Sequence, residues 1–198
     1  MIQTVIFDTD GMVVHREMYF SQRFSKEFGV PAEKILPFFE NEFQLCLVGK
    51  ADLKEELENY VGRWGWQKPV DELLKYWFEH ENTVDERMLE SVTSLRAKGI
   101  RCYLDTNNEH YRVRYLVDTL GLKNFFDAVF SSAQLGYMKP QQEFWRSIHE
   151  LIGGPDKGEV LVWDDDEENV KSAKHFGFQA ELHSDFDSYK DRMKVLIT

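Results

Sequence analysis

Cysteine is scarce in this chain. Cys46 and Cys102 are the only two, far apart and each among apolar neighbours, so buried reduced thiols are expected rather than a disulfide. No run of about 18 apolar residues occurs, which removes the expectation of a membrane span. The first apolar run opens at Ile2 with no basic-then-apolar leader before it, so no signal peptide is expected and the protein reads as cytoplasmic. Positive charge is the minority sign: 24 Lys and Arg stand against 35 Asp and Glu, for a net charge of -11. That excludes a nucleic-acid backbone as a general partner. An anionic ligand would need local donors or a cation, because the overall field repels it. Repeats, low-complexity tracts and long linkers are missing as well.

What the chain has in quantity is apolar and aromatic side chains. Apolar residues make up 42% and charged residues 30%, with 15 Phe, 8 Tyr and 5 Trp among 198 residues. This can fill one substantial core, or a core and a small second lobe, and it is unlike a disordered composition.

Short apolar runs read as buried strands at Ile2–Phe7, Ile100–Leu104, Ala128–Phe130, Val160–Trp163 and Phe178–Leu182. Helical spacing lies between them. Met88, Leu89, Val92 and Leu95 share a face, with Gly99 as a stop. Phe144, Ile148, Leu151 and Ile152 share another, with Pro140 expected to open that helix, and Val170, Ala173 and Phe176 form a third, ending at Gly177. Strands alternating with helices predict right-handed crossovers and a mostly parallel sheet, an α/β fold. Residues 13–82 behave differently. Phe20, Phe24 and Phe28 recur at helical spacing, as do Leu53, Leu57, Tyr60, Val61 and Trp64, and again Leu73, Leu74, Trp77 and Phe78. Asp52, three residues before Glu55, reads as an N-terminal capping pair. No strand is expected there. The predicted organisation is a core of residues 1–12 and 83–198 with a helical insertion over 13–82, its aromatics serving as core.

In an open parallel sheet, ligands bind beyond the carboxyl ends of the strands. The first strand delivers Asp8 and Asp10, and Gly11 lets the chain turn. Two acids so close repel, which points to a bound cation or a raised pKa, although Asp and Gly are also ordinary turn residues. The second strand delivers Asp105-Thr106-Asn107-Asn108, where Thr106 and Asn107 also suit helix capping. The third leads through Ser131-Ser132-Ala133 to Gly136-Tyr137-Met138-Lys139-Pro140, and the fourth delivers Asp164-Asp165-Asp166 with Asn169 one turn later. Acids at 164–166 also complement a helix dipole. All four sets land on one edge of one sheet. Clustered carboxylates suit a hard cation such as Mg²⁺, and lysine, Thr and Asn suit phosphate oxygens.

Taken together, Phe7-Asp8-Thr9-Asp10-Gly11, Leu104-Asp105-Thr106-Asn107-Asn108, Gly136-Tyr137-Met138-Lys139-Pro140 and Val162-Trp163-Asp164-Asp165-Asp166-Glu167-Glu168-Asn169-Val170 resemble, in order, the four motifs of the haloacid dehalogenase (HAD) superfamily in its phosphatase branch. They cover nearly the whole chain. Asp105 sits where many members carry an apolar residue and receives no role. The resemblance implies a Rossmann-like parallel sheet core with an inserted α-helical cap. It implies Asp8 as nucleophile, Asp10 as acid and base, and Thr106 and Lys139 as further catalytic residues. Thr106, Asn107 and Lys139 would bind the phosphoryl group. Mg²⁺ would be held by the Asp8 carboxylate, the Asp10 backbone carbonyl and Asp165, with Asp164 and Asn169 orienting Asp165 and Lys139. Asp10 would need a raised pKa at the right moment, expected from neighbouring acids and partial burial.

The implied activity is Mg²⁺-dependent hydrolysis of a small phosphorylated metabolite through an aspartyl-phosphate. Sugar phosphates are the leading class and nucleotide monophosphates the next. Dehalogenases of the superfamily lack the second Asp of the first motif and the metal-binding acids of the fourth, so that activity is not expected. A phosphomutase of the same type, or a HAD-like binding or regulatory protein with little turnover, are the alternatives. In the cap, His15, Arg16, Tyr19 and Arg23 follow the first hinge. The Val48-Gly49-Lys50 break is the expected substrate-facing loop, with Lys50 as a substrate contact.

Overall fold

The computed structural model describes residues 1–197. In chain order the strands are β1 (Thr4–Asp8), β2 (Val14–His15), β3 (Thr83–Val84), β4 (Arg101–Thr106), β5 (Ala128–Ser131), β6 (Val160–Asp164) and β7 (Gln179–Leu182). Five of them form one parallel sheet in the order β5-β4-β1-β6-β7. Every residue of β1 and β6 is buried, which explains why these strands are continuous apolar runs: a parallel sheet is covered on both faces.

Between β1 and β4 lie helices α1 (Phe20–Phe28), α2 (Ala32–Glu40), α3 (Glu42–Leu47), α4 (Leu53–Val61), α5 (Val70–Glu79) and α6 (Glu86–Ala97). After β4 come α7 (His110–Arg114), α8 (Ser132–Leu135), α9 (Gln142–Leu151), α10 (Glu167–Phe176) and α11 (Phe186–Leu196). Met88, Leu89, Val92 and Leu95 of α6 and Tyr189 and Met193 of α11 pack on one face of the sheet. Phe144, Trp145 and Ile148 of α9 and Val170 and Ala173 of α10 pack on the other. The chain builds outward from β1 through β4 to β5, then returns to β6. Its direction reverses beside β1, where an open α/β sheet leaves a crevice.

Helices α1 to α5 bury their aromatics against one another. Phe20, Phe24, Phe38, Trp64, Trp77 and Phe78 belong to a cluster separate from the two that flank the sheet. Asp52 caps α4, accepting from the backbone N–H of Lys54 at 2.8 Å and of Glu55 at 3.2 Å, as its spacing predicts. Sequence reasoning expects no strand over 13–82, yet Val14–His15 pairs antiparallel with Thr83–Val84. Two residues are too few for alternation to register. Pro140 does not open a helix either: α9 starts at Gln142, and Pro140 lies in the turn before it. Phe28 and Leu151, read as stripe members, are exposed. Among the described residues, no helix is long and apolar enough to cross a membrane.

Candidate active site

Strand alternation decides which side chains meet. Ile6, Tyr103 and Val162 pack on the α9/α10 face. Asp8, Asp105 and Asp164 lie two residues further along the same strands, and so project from that face. Asp8 is in register with Asp105, and the β1–β6 pairing runs to Phe7–Trp163, one step short of Asp8 beside Asp164. Lys139, from the turn between α8 and α9, enters among the three acids. Its Nζ donates to Asp8 Oδ1 at 2.7 Å, to Asp105 Oδ1 at 2.6 Å and to Asp164 Oδ2 at 2.7 Å. All four side chains are buried.

The electrostatics follow from that crowding. Burial alone pushes the Lys139 ammonium down, but Asp105, Asp8 and Asp164 outweigh it and hold Lys139 well above the ordinary lysine value. Burial pushes Asp8 well above the usual carboxylate range, against the pull of Lys139 and with help from Asp164 and Asp105. Burial likewise pushes Asp105 up to about 6. One ammonium does not neutralise three carboxylates, and Asp105 Oδ2 is buried with no hydrogen-bond partner.

Asp165 stands at the rim. Asp8, Asp164 and Asp165 each offer an oxygen such that the three atoms lie within 4.8 Å of one another. Both Asp164 oxygens are already engaged: Oδ2 by Lys139, and Oδ1 by the Asp166 backbone N–H at 2.9 Å and Asn169 Nδ2 at 3.1 Å. That leaves Asp8 Oδ2 and the Asp165 carboxylate, an oxygen donor set that fits a hard divalent cation. Burial and the neighbouring Asp164 raise Asp165 from its ordinary value. Gly11 makes the approach possible. With φ +95°, a Cβ there would overlap Asp165 Oδ2.

The Asp10 carboxylate is met by three donors. Arg16 Nη1 lies 3.4 Å and Arg112 Nη2 3.5 Å from Oδ1, and Asn108 Nδ2 donates to Oδ2 at 2.6 Å. The same Asn108 amide donates to Thr106 Oγ1 at 2.6 Å, which joins the two side chains. The Asn107 side chain, expected at the phosphoryl group, bonds to the Lys139 backbone. Its Nδ2 donates to Lys139 O at 3.1 Å, and its Oδ1 accepts from Lys139 N at 2.9 Å, so the side chain clamps the turn that carries the lysine.

Asp8, Asp10, Thr106, Asn107, Lys139, Asp165 and Asn169 line one cleft of about 760 Å³ between the sheet edge and the inserted helices. Asp164 stays behind them, fully buried. Lys50 is not brought there: it is exposed and absent from the lining. The reason is local. Gly49, at φ +68°, turns the chain so closely onto α8 that a Cβ would collide with Ala133 O, and the turn packs there instead of opening to the cleft. Arg16 does line it.

Three residues at the site escape sequence reasoning. Asp105 has a signal, since an acid inside an apolar strand needs a buried partner. Asn108 belongs to a motif but shows its role only through its contacts. Arg112 has no local signal. Its guanidinium also donates to the backbone carbonyls of Glu81 and, at 3.5 Å, of Phe78, tying Asp10 to the end of the inserted helices.

Comparison with known proteins agrees with this architecture. A haloacid dehalogenase-like hydrolase family profile matches residues 2–177. No curated protein sequence matches the chain. Among solved structures, a HAD-like family hydrolase from Porphyromonas gingivalis superposes with a TM-score of 0.82 at 22% identity, covering 100% of this chain and 98% of that one. A HAD family enzyme from Bacteroides thetaiotaomicron, in complex with magnesium and inorganic phosphate, gives 0.82 at 18% identity, covering 96% and 99%. The L-2-haloacid dehalogenase of Xanthobacter autotrophicus, with chloropropionic acid covalently bound, gives 0.62 at 21% identity, covering 91% and 76%. These likenesses establish the fold, and with the profile match over most of its length the chain belongs to the haloacid dehalogenase-like hydrolases.

Proposed function

We propose that this hydrolase is a magnesium-dependent phosphatase acting on a small phosphate monoester through an aspartyl-phosphate on Asp8. The observation that carries the reading is the setting of Asp8: Oδ1 accepts from Lys139 at 2.7 Å, and the carboxylate offers an oxygen within 4.8 Å of oxygens of Asp164 and Asp165. A carboxylate that attacks phosphorus must be oriented, and its repulsion from the phosphate must be offset; Lys139 serves both ends. Asp8, Asp165 and the Asp10 backbone carbonyl would hold Mg²⁺, which supplies further charge compensation when bound. The Bacteroides relative crystallised with magnesium and inorganic phosphate supports this choice.

In the first step Asp8 forms a bond to phosphorus as the ester oxygen leaves, and Asp10 delivers a proton to that oxygen. In the second, Asp10 takes a proton from water, which attacks phosphorus and frees Asp8. Thr106 binds a phosphoryl oxygen, while Asn107, Asp164 and Asn169 keep Lys139 in place. An alkoxide leaving group needs a proton and a halide does not, so the presence of Asp10 favours phosphate over carbon–halogen chemistry. Sequence reasoning puts sugar phosphates first among such esters.

The test is hydrolysis of p-nitrophenyl phosphate with and without Mg²⁺. Turnover lost to chelator and to Asp8→Asn, with an unchanged circular dichroism spectrum, supports the proposal. Activity retained in Asp8→Asn would remove the nucleophile, and metal binding without any turnover would indicate a binding protein.

A further inference from the structure

The wall of the cleft opposite the carboxylates is aromatic. Phe20 of α1, Leu36 and Phe39 of α2, Phe43 of α3 and Trp77 of α5 all line it. The rings form a continuous surface: Phe20 and Trp77 have centroids 4.8 Å apart, Phe39 and Trp77 5.4 Å, Phe39 and Phe43 5.3 Å, and Phe43 and Trp77 5.5 Å. Phe39 and Phe43 are only half-buried, and Leu36 is 40% exposed. The cluster therefore does not close on itself; it presents apolar surface to the cleft.

Polar partners on that side are few: Ser21 and Gln44 on the inserted helices, with Arg16, Tyr19 and Glu81 at its margin. The cations that line the cleft are Arg16 and Lys139. Lys139 is held by three carboxylates, and Arg16 lies against Asp10 and over the Tyr19 ring at 4.3 Å. Gln44 donates its amide to Phe39 O at 2.7 Å. A sugar can lay a C–H face on such rings, but each hydroxyl turned to this wall loses a water hydrogen bond with few protein partners to replace it. Among the described residues of the lining, a second phosphate or carboxylate would meet only these two cations, both already paired with carboxylates. A flat ring would bury apolar area and stack edge or face against Phe39, Phe43 and Trp77.

We propose, on the basis of the phosphatase reading above, that the substrate is a phosphate monoester whose alcohol carries an aromatic ring system and no second anionic group. The cleft volume accommodates such a molecule. The aromatic wall recognises the organic part, and the sheet edge acts on the phosphate.

The experiment compares three compounds on the native chain with Mg²⁺: 2-phenylethyl phosphate, glucose 6-phosphate and acetyl phosphate. The first two both release a primary alcohol, so a difference in kcat/KM reports recognition rather than leaving-group quality. We expect 2-phenylethyl phosphate to exceed glucose 6-phosphate by about tenfold or more. In Phe43→Ala, the ratio of kcat/KM for 2-phenylethyl phosphate to that for acetyl phosphate should fall by about the same factor, mainly through KM. Equal use of the two alkyl esters, or a preference for the sugar, overturns this inference while acetyl phosphate hydrolysis leaves the phosphatase reading standing. An unchanged ratio in Phe43→Ala overturns it too. Failure to hydrolyse even acetyl phosphate overturns both.

Discussion

Lys139 Nζ and Asp105 Oδ1 lie 2.6 Å apart in the interior, and the other oxygen of Asp105 meets no donor. Asp105 is thus one of three anchors that set where the lysine stands relative to Asp8. Asp105→Asn keeps the shape and removes the charge. Lys139 would then face two carboxylates, Asp8 and Asp164, and a neutral amide oxygen in place of the third. We expect kcat to fall about tenfold with KM little changed, and stability to drop by about 1–3 kcal/mol from the buried amide left short of partners. Urea denaturation and steady-state kinetics on p-nitrophenyl phosphate measure the two separately. A stability loss with unaltered kcat would make Asp105 structural only.

Asp10 is held by Asn108 at 2.6 Å and faced by Arg16 and Arg112. Its proposed task, giving a proton to the leaving oxygen, matters most when that oxygen is a poor leaving group. Asp10→Asn should reduce hydrolysis of an alkyl phosphate by about a hundredfold or more, and of p-nitrophenyl phosphate by about tenfold in its first step. Burst kinetics isolates that step. Equal losses on both esters would deny Asp10 the acid role.

How far the sequence alone reached depended on whether a residue's task is local. The sheet was legible because short apolar runs alternate with helical spacing, and Asp8 and Asp164 stand where two of those runs end, while Lys139 stood out through the turn motif before Pro140 and not through a strand. Lys50 was misplaced because a glycine turn can face a cleft or pack on a neighbour, and only the approach of Gly49 to Ala133 decides between them. Arg112 was invisible: its partners, Asp10 and the carbonyls near residue 80, are remote in sequence. Phe39 and Phe43 belong to helices whose aromatics read as core, and their half-burial at the cleft is a property of packing that spacing does not carry.

Metal dependence can be checked without any substrate. If Asp8 and Asp165 share a divalent ion, saturating Mg²⁺ stabilises the native state by about 2.7 kcal/mol at a hundredfold excess over Kd, a rise in Tm of about 5–10 °C for a chain of this size. Chelator should reverse it, and Asp165→Asn should abolish it. Gly11→Ala is a sharper probe, because its Cβ would overlap the Asp165 carboxylate without removing any ligand. It should lower Mg²⁺ affinity while leaving Asp165 in the sequence. A normal Mg²⁺-induced rise in Tm in Gly11→Ala would contradict the arrangement.

Cys46 and Cys102 are buried and unpaired, and burial pushes each thiol up to about 12. At pH 8 only about one molecule in 10⁴ would carry a native thiolate at either position, and the thiolate is the reactive form. Native protein should therefore resist a disulfide reagent, while urea-unfolded protein titrates two thiols per chain. The same shift makes a statement about alkaline pH. The folded values lie above the unfolded thiol value near 9, so the native state binds more protons in that interval. The stability these thiols contribute is complete below about pH 9 and is lost as pH rises toward 12. The urea midpoint should accordingly fall between pH 8 and pH 10.5, and the fall should be smaller in Cys102→Ala, where one of the titrating groups is gone. A fall of equal size in that variant would assign the alkaline loss to other groups.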